Sequence, residues 1–239
     1  MSTTPNAVQG LNVLVAGATS QAGIAVVEAL ASESARVVAV GSDSTRLERA
    51  LGHLKTVRLQ TCDLTDGRAV DRLAAELRAD GQPADGLIHL VGGWRGGGGI
   101  AGQSDADYEF LHRSILTTLR NTTRAFVSDL QQSRRGRLAI VSATAVDNPA
   151  ADSASYAAVK AAAETWVRAV AQQFAADPEA EAAASVLVVK ALVDDVMRAQ
   201  QPDRRFPGYT HVRDLAAGVL DLFTQTAAGV NGQRVLLTN

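Results

Sequence analysis

Short apolar segments alternate with amphipathic segments along almost the whole chain. The apolar segments are rich in Val, Ile and Leu and are continuous, which is typical of strands buried on both faces of a sheet. They cover residues 11–16, 35–40, 56–60, 86–91, 137–142, 185–189 and 234–238. This alternation predicts an α/β fold in which a doubly wound sheet of about seven mostly parallel strands carries helices on both faces.

The segments between the predicted strands have apolar residues at helical spacing, as at Val70, Leu73 and Leu77. The predicted helices cover residues 23–32, 44–54, 66–79, 105–132, 153–176 and 212–225. We expect one domain over residues 1–239, because no linker or internal repeat interrupts the pattern. Within it we expect a flexible N-terminus (1–9), a glycine-rich loop (92–103) and an exposed, proline-containing excursion near the site (198–211).

Composition argues against several classes of function. The formal net charge is −2, so no basic field indicates nucleic acid or an anionic membrane as partner. Cys62 is the only cysteine, which excludes a disulfide within the chain. No apolar run reaches the ~18 residues of a membrane span, and we expect no signal peptide. The four histidines are scattered, so we expect no metal site. The single cysteine is compatible with a reducing compartment, and we expect a cytoplasmic protein with a small-molecule substrate.

The first predicted strand leads through a glycine turn into a helix. Gly17 permits a tight turn at the strand end, and Gly23 permits close packing of the helix on the sheet. The free N–H groups of the helix N-terminus would bind a pyrophosphate. The spacing is not Gly-x-Gly-x-x-Gly, because Gln21 stands where a middle glycine is usual. The turn predicts nucleotide binding, with a plain strand-to-helix connection as the alternative.

Tyr156 and Lys160 are four residues apart and share one face of a predicted helix. A free phenol has a pKa of about 10, and an ammonium group beside it lowers that pKa. The pair therefore predicts a proton donor that works near neutral pH. The same spacing also occurs in amphipathic helices where the tyrosine only fills a buried edge.

These features, in this order, resemble the short-chain dehydrogenase/reductase family. Residues 16–23 are similar to its Thr-Gly-x-x-x-Gly-x-Gly loop, 62–65 to its Asp-(Leu/Val)-Thr segment, and Tyr156-x-x-x-Lys160 to its catalytic pair. The resemblance implies a Rossmann-type fold and hydride transfer from NAD(P)H to a carbonyl, with Tyr156 as proton donor. Lys160 would lower the pKa of Tyr156 and hold the nicotinamide ribose. A homodimer or homotetramer is implied as well.

The resemblance also implies a set of residues that contact the cofactor. They are Gly17, Thr19, Ser20, Gln21, Ala22, Gly23, Ser42, Asp63, Leu64, Val91, Gly92, Gly93, Tyr156 and Lys160. An acidic residue at the end of the second strand would bind the ribose hydroxyls of NAD and repel the phosphate of NADP. This chain has Gly41 there, which favours NADPH, with Arg46 as a candidate partner of the phosphate. Asp43 leaves NADH as the alternative.

Several positions depart from the usual family pattern. The family serine thirteen residues before the tyrosine is replaced by Ala143. Ser142 and Thr144 flank that position, and Ser142 is the candidate for orienting the substrate. The usual Asn-Asn-Ala-Gly is His-Leu-Val-Gly at 89–92, and the usual Pro-Gly after the sixth strand is Lys-Ala at 190–191. The asparagine of the long helix has no counterpart near residue 114.

The altered segments resemble the dihydropteridine reductase branch of the family. The resemblance rests on Val-Gly-Gly-Trp at 91–94 and Ser-Ile-x-Thr-Thr at 114–118, and it implies an easily reduced acceptor such as a quinonoid or pterin-like molecule. Trp94 either stacks on a flat substrate or covers the sheet edge. The missing serine and asparagine leave a second class of function open, a cofactor-binding sensor or structural protein with little catalytic activity.

Overall fold

The computed structural model describes residues 7–237. The strands are β1 (Asn12–Ala16), β2 (Arg36–Gly41), β3 (Arg58–Thr61), β4 (Gly86–His89), β5 (Arg137–Ala143), β6 (Ala183–Val189), β7 (Leu192–Val193), β8 (Thr210–His211) and β9 (Arg234–Leu236). The α-helices are α1 (Gln21–Ser32), α2 (Ser44–Leu51), α3 (Gly67–Ala79), α4 (Asp105–Leu111), α5 (Thr118–Gln132), α6 (Ala154–Ala175), α7 (Asp195–Gln200), α8 (Val212–Thr224) and α9 (Ala227–Val230). Single 3-10 turns lie at Ile100–Gly102, Thr144–Val146 and Ala151–Ser153.

Seven of the strands form one sheet in the order β3-β2-β1-β4-β5-β6-β9, and every neighbouring pair is parallel. The prediction of a doubly wound, Rossmann-type sheet of about seven strands is confirmed. After β3 the chain crosses back and places β4 on the other side of β1, which creates the switch point where such sheets bind ligands. The separate parallel pair β7–β8 was not predicted, because two residues per strand are too few to show a pattern.

Both faces of the sheet are covered. Leu14 and its neighbours on one face pack against α3, α5 and α6, with Phe126 and Phe174 fully buried. Val13 and Ile88 on the other face pack against α1, α2 and α8. Successive strand side chains point to opposite faces, so a sheet with two dry faces needs apolar residues at nearly every strand position.

Residues 105–132, predicted as one helix, form α4, a π-helical segment (His112–Thr117) and α5 in succession. Such π segments are rare and often occur near functional sites. The hydroxyl of Ser114 within this segment donates a hydrogen bond of 2.7 Å to the carbonyl oxygen of Phe110. The amphipathic pattern alone did not reveal this widened turn, since a single turn is too short to show a change of period.

The structure describes part of the predicted N-terminal segment and all of the predicted excursion after β6. Residues 1–6 and 238–239 lie outside the described residues, whereas Val8 is buried. The predicted excursion at 198–211 begins inside α7, is largely exposed and returns to the fold through β8. Within residues 7–237, no helix combines the length and apolarity needed to cross a membrane.

Candidate active site

A cleft of about 660 Å³ lies at the carboxyl ends of β4, β5 and β6, beside the start of α1 and α6. This is the side of the sheet on which doubly wound folds bind ligands. The cleft brings together the predicted residues Ser20, Gln21, Ala22, Val91, Gly92, Gly93, Trp94, Ser142, Tyr156 and Lys160. Gly17, Thr19 and Gly23 belong to the adjoining turn, and Ser42, Asp63 and Leu64 follow the neighbouring strands β2 and β3.

The turn between β1 and α1 depends on two glycines. Gly17 has a φ of +84°, and a Cβ atom there would lie 2.9 Å from the backbone of Leu90. A Cβ atom on Gly23 would lie 2.3 Å from the carbonyl oxygen of Gly17. The turn therefore packs directly on backbone, as the sequence predicted.

Ser20 caps α1 and closes the same turn. Its hydroxyl donates a hydrogen bond of 2.9 Å to the carbonyl oxygen of Gly17 and accepts one of 3.0 Å from the N–H of Gly23. The hydroxyl proton of Ser20 is thus engaged within the turn, and its predicted contact with the cofactor stays a prediction. The N–H groups of Gln21 and Ala22 belong to the first helical turn, which leaves such groups without partners in the helix, and both residues line the cleft.

The end of β2 carries no acidic side chain, and any side chain there would crowd Leu47. A Cβ atom on Gly41 would lie 3.1 Å from the side chain of Leu47, and Ser42 is exposed beside it. The carboxylate of Asp43 accepts a hydrogen bond of 2.9 Å from the N–H of Arg46 and caps α2. Asp43 therefore has a structural partner, independent of any ribose.

Asp63 follows β3 in an exposed turn. Its carboxylate accepts hydrogen bonds from the hydroxyl of Thr65 at 2.7 Å and from the N–H of Thr65 at 2.9 Å. These bonds lower the pKa of Asp63, so the side chain is ionised at neutral pH. Leu64 beside it is buried in the core. The predicted adenine contact of Asp63 stays a prediction.

Tyr156 and Lys160 lie on one face of α6 and both line the cleft. The Nζ atom of Lys160 is 5.8 Å from the centroid of the Tyr156 ring and donates a hydrogen bond of 2.8 Å to the carbonyl oxygen of Val141. Within residues 7–237 the phenol hydroxyl has no hydrogen-bond partner. Burial raises the pKa of Tyr156, contrary to the predicted lowering, because the ammonium group is directed to β5 instead of the phenol oxygen.

Lys160 is itself buried, and burial lowers its pKa to about 8. Glu164, one helical turn further on, acts in the opposite direction and raises the pKa of Lys160. Glu164 is buried too, with one carboxylate oxygen 2.9 Å from the Nε atom of Arg234 and the other without a partner among the described residues. No motif predicted a role for Glu164. The feature that could have indicated it is its position four residues after Lys160, which places the opposite charge on the same helix face.

His89, which replaces a family asparagine, is buried between the sheet and α5. Its Nε2 atom is 3.1 Å from the hydroxyl of Thr118, which itself donates to the carbonyl oxygen of Ser114. Its Nδ1 atom is 3.3 Å from the hydroxyl of Thr122. Burial, and secondly the charge of Lys160, lower the pKa of His89 to about 3. The imidazole is therefore neutral at pH 7 and acts as a link between β4 and α5.

Ser142 lies on the inner wall of the cleft but has a buried hydroxyl. Its exposed fraction is 1%, and its Oγ atom has no partner within the described residues. Ala143, at the position of the family serine, presents only a methyl group to the cleft. The role suggested for Ser142 stays a prediction, and contact between its Oγ atom and a substrate requires a rotation of the side chain.

Trp94 is 59% exposed and lines the cleft. The glycine-rich loop behind it is anchored, since the N–H groups of Gly97 and Gly99 donate hydrogen bonds of 2.7 Å to the backbone and side-chain oxygens of Asp152, just before α6. The side chain of Gln103 also donates to this loop. The loop that carries the tryptophan is therefore connected to the helix that carries Tyr156.

The described residues contain no group of three or more His, Cys, Asp or Glu side chains placed to hold a metal ion. The remaining cleft wall is mostly apolar and comes from the ends of β4, β5 and β6, from β7, and from α7 and α8. Its apolar residues are Leu90, Val141, Ala143, Ala145, Val189, Ala191, Leu192, Val193, Met197 and Val212. Lys190 and Asp194 are the charged residues of this wall.

Comparison with known proteins gives relatives for this arrangement. The sequence model of short chain dehydrogenases matches residues 11–180. A 2,3-dihydro-2,3-dihydroxybenzoate dehydrogenase from Bacillus subtilis strain 168 is 28% identical over 165 residues, which cover 67% of this chain and 63% of the relative. A galactitol 2-dehydrogenase from Rhizobium johnstonii is 30% identical over 174 residues, which cover 70% of this chain and 66% of the relative. The chain thus spans somewhat less than two thirds of each relative.

A solved structure shows the same fold over a larger part of the chain. It is the NADPH-bound short-chain oxidoreductase from Pseudomonas aeruginosa PAO1, described as containing an atypical catalytic center. The TM-score is 0.83 and the identity 19%, with 96% of both chains covered. The resemblance to dihydropteridine reductases stays a prediction from the sequence. Because the sequence model covers the glycine turn, β5 and the Tyr156–Lys160 pair, this chain belongs to the short-chain dehydrogenase family.

Proposed function

We propose that the protein is an NAD(P)H-dependent oxidoreductase that reduces a carbonyl or a quinonoid, pterin-like small molecule. The observation that carries this proposal is the placement of Tyr156, Lys160 and the N-terminal turn of α1 around one cleft. The two sequence relatives are dehydrogenases by name, and the Pseudomonas aeruginosa structure holds NADPH.

The chain has a cradle that fits a dinucleotide. Because Gly17 and Gly23 have no side chains, the turn packs closely on the neighbouring backbone, including that of Leu90. The N–H groups of Gln21 and Ala22 are available for a pyrophosphate. Gly92 borders Lys160 in the cleft, since a Cβ atom there would lie 3.9 Å from the Nζ atom, an ordinary contact distance. The nicotinamide, when bound, supplies the hydride.

The residues of the chain then supply the proton. The raised pKa of Tyr156 keeps the phenol protonated at neutral pH, so its hydroxyl can donate to the substrate oxygen as the hydride reaches the carbon. One hydride and one proton convert the carbonyl to an alcohol, and Tyr156 is left as a phenolate. Lys160, protonated below its pKa of about 8, stabilises that phenolate when its ammonium turns from Val141 toward it.

NADPH is the proposed coenzyme. Gly41 leaves no acidic group to repel a 2′-phosphate, Asp43 is engaged as the cap of α2, and Arg46 in the first turn of α2 is exposed. Titration of the protein with NADPH and NADH tests this, with a lower Kd expected for NADPH. A clearly lower Kd for NADH would overturn it.

Substitution of Tyr156 tests the reaction. Tyr156→Phe should lose turnover with a panel of quinones, pterins and activated ketones while its Kd for NADPH stays within about twofold, since the hydroxyl donates a proton and leaves the cradle intact. Tyr108→Phe is the matched control, because Tyr108 is exposed on α4 away from the cleft. Full activity of Tyr156→Phe would show that Tyr156 is not the proton donor.

A cofactor-binding sensor is the second candidate, and the methyl group of Ala143 in place of a hydroxyl favours it. Tight NADPH binding without oxidation across the whole panel would support the sensor over the reductase. The homodimer or homotetramer and the cytoplasmic location remain predictions. Light scattering on the purified protein tests the assembly.

A further inference from the structure

We propose that Lys190 makes the cleft selective for small carbonyl compounds that carry a carboxylate, which its ammonium group binds. This inference rests on the proposed function, because it assumes that Tyr156 meets the carbonyl oxygen of the same substrate. The family pattern has Pro-Gly after the sixth strand, so a lysine there is a feature of this chain.

Lys190 lies close to the proposed reaction centre. It is the first residue after β6, and the parallel register pairs Val189, the last residue of that strand, with Ala143 on β5. Lys190 therefore comes one residue after the partner of Ala143, the residue that replaces the family serine. Lys190 and Tyr156 line the same cleft.

The ammonium of Lys190 has unused hydrogen-bonding capacity. Its Nζ atom donates a hydrogen bond of 3.1 Å to the carbonyl oxygen of Pro207 in the exposed excursion, and it pairs with no carboxylate within residues 7–237. An ammonium group has three donors, so two stay available for a ligand. A bound carboxylate would therefore leave the contact with the excursion in place.

The other charged groups of the cleft are already engaged. Lys160 donates to the carbonyl oxygen of Val141. Asp194 accepts a hydrogen bond of 2.6 Å from the N–H of Met197 and caps α7. Lys190 is thus the cation of the cleft that still has free donors, and its side chain is exposed to solvent.

Two flat aldehydes of equal size test the inference. The probes are 4-carboxybenzaldehyde and 4-formylbenzamide, which share the aldehyde and the ring and differ in the negative charge. Calorimetric titration at pH 7, with and without NADP⁺, gives both dissociation constants and requires no turnover. We expect the wild type to bind the carboxylate at least about tenfold more tightly than the amide, since only the carboxylate forms a charge-assisted hydrogen bond with the ammonium.

Lys190→Met should reduce this preference to less than about threefold, mainly by raising the dissociation constant of 4-carboxybenzaldehyde. Lys55→Met is the matched control, because Lys55 is exposed, lies outside the cleft and also donates to a backbone carbonyl, that of Gly52 at 2.7 Å. The control should keep the wild-type preference.

Equal affinities in the wild type, or a preference that survives Lys190→Met, would overturn the inference. A Lys190→Met variant that loses affinity for both probes alike would overturn it too, since it would show that Lys190 only holds the excursion through Pro207. A failure of the proposed function is recognised separately. In that case the wild type oxidises NADPH with neither aldehyde, while the two dissociation constants still report on Lys190.

Discussion

The ammonium of Lys160 lies 2.8 Å from the carbonyl oxygen of Val141, so the buried lysine is held by strand β5. This bond explains why Lys160 does not lower the pKa of Tyr156 as the sequence predicted. The lysine satisfies a backbone acceptor, the phenol has no hydrogen-bond partner within residues 7–237, and burial then dominates the pKa of each group. The site therefore holds a protonated tyrosine and a destabilised cation.

Lys160→Met should stabilise the protein at pH 7 while it abolishes turnover. The pKa of Lys160 is about 8 in the folded chain against 10.5 for a free lysine, so folding at pH 7 includes the cost of burying the ammonium, about 3 kcal/mol. The variant avoids this cost and loses the hydrogen bond from the ammonium to Val141, worth about 2 kcal/mol because the donor is charged. The expected net gain is about 1 kcal/mol by urea unfolding.

The pH dependence of that gain tests its origin. Between pH 8 and 10.5 the unfolded wild type binds more protons than the folded protein, so wild-type stability rises through this window relative to the variant. The advantage of Lys160→Met should therefore disappear by about pH 10. A gain that is constant from pH 7 to 10 would show that packing, not charge, is its cause.

Glu164→Gln should lower the pKa of Lys160 further, because the nearby buried carboxylate favours the protonated lysine. If the reaction needs the ammonium form, the alkaline limb of the pH–rate profile moves to lower pH by roughly one unit. Glu76→Gln, on the exposed face of α3, is the matched control. An unshifted alkaline limb in Glu164→Gln would assign Glu164 to its ion pair with Arg234 alone.

His89→Asn should make the fold more resistant to acid. The pKa of His89 is about 3 in the folded chain against 6.5 for a free histidine, so the unfolded chain binds the extra proton as the pH falls below 6.5. The wild type therefore loses about 1.4 kcal/mol per pH unit between pH 6.5 and 3 from this group, or about 2 kcal/mol at pH 5. Asparagine does not titrate, so the variant lacks this loss.

Circular dichroism during acid titration measures this effect, with the unfolding midpoint of His89→Asn expected at lower pH than that of the wild type. His53→Asn is the control, because the His53 side chain is 60% exposed. Equal midpoints for His89→Asn and the wild type would mean that His89 is not the group that limits acid stability.

The sheet could be predicted from the sequence because strands buried on both faces are apolar at every position, as in Val13 to Ala16. The positions of Gly17, Tyr156 and Lys160 also follow from spacing within elements. The direction of the Lys160 ammonium does not, because it depends on β5, which is distant in sequence. Glu164 was missed, and the burial of the Ser142 hydroxyl was not predicted, for the same reason, since burial is set by packing between elements.

Gly23→Ala should damage the fold and the cradle together. The new Cβ atom would lie 2.3 Å from the carbonyl oxygen of Gly17, so the turn must shift, with an expected loss of about 2 kcal/mol of unfolding free energy. The Kd for NADPH should rise at least about tenfold, because the N–H groups of Gln21 and Ala22 move with the turn. Gly67→Ala is the control, because its nearest neighbour is the Asn121 side chain at an ordinary 3.4 Å, and its stability should stay within about 0.5 kcal/mol of wild type. A Gly23→Ala protein that unfolds and binds NADPH like the wild type would show that the turn tolerates the methyl group, and that its close backbone packing does not form the cradle.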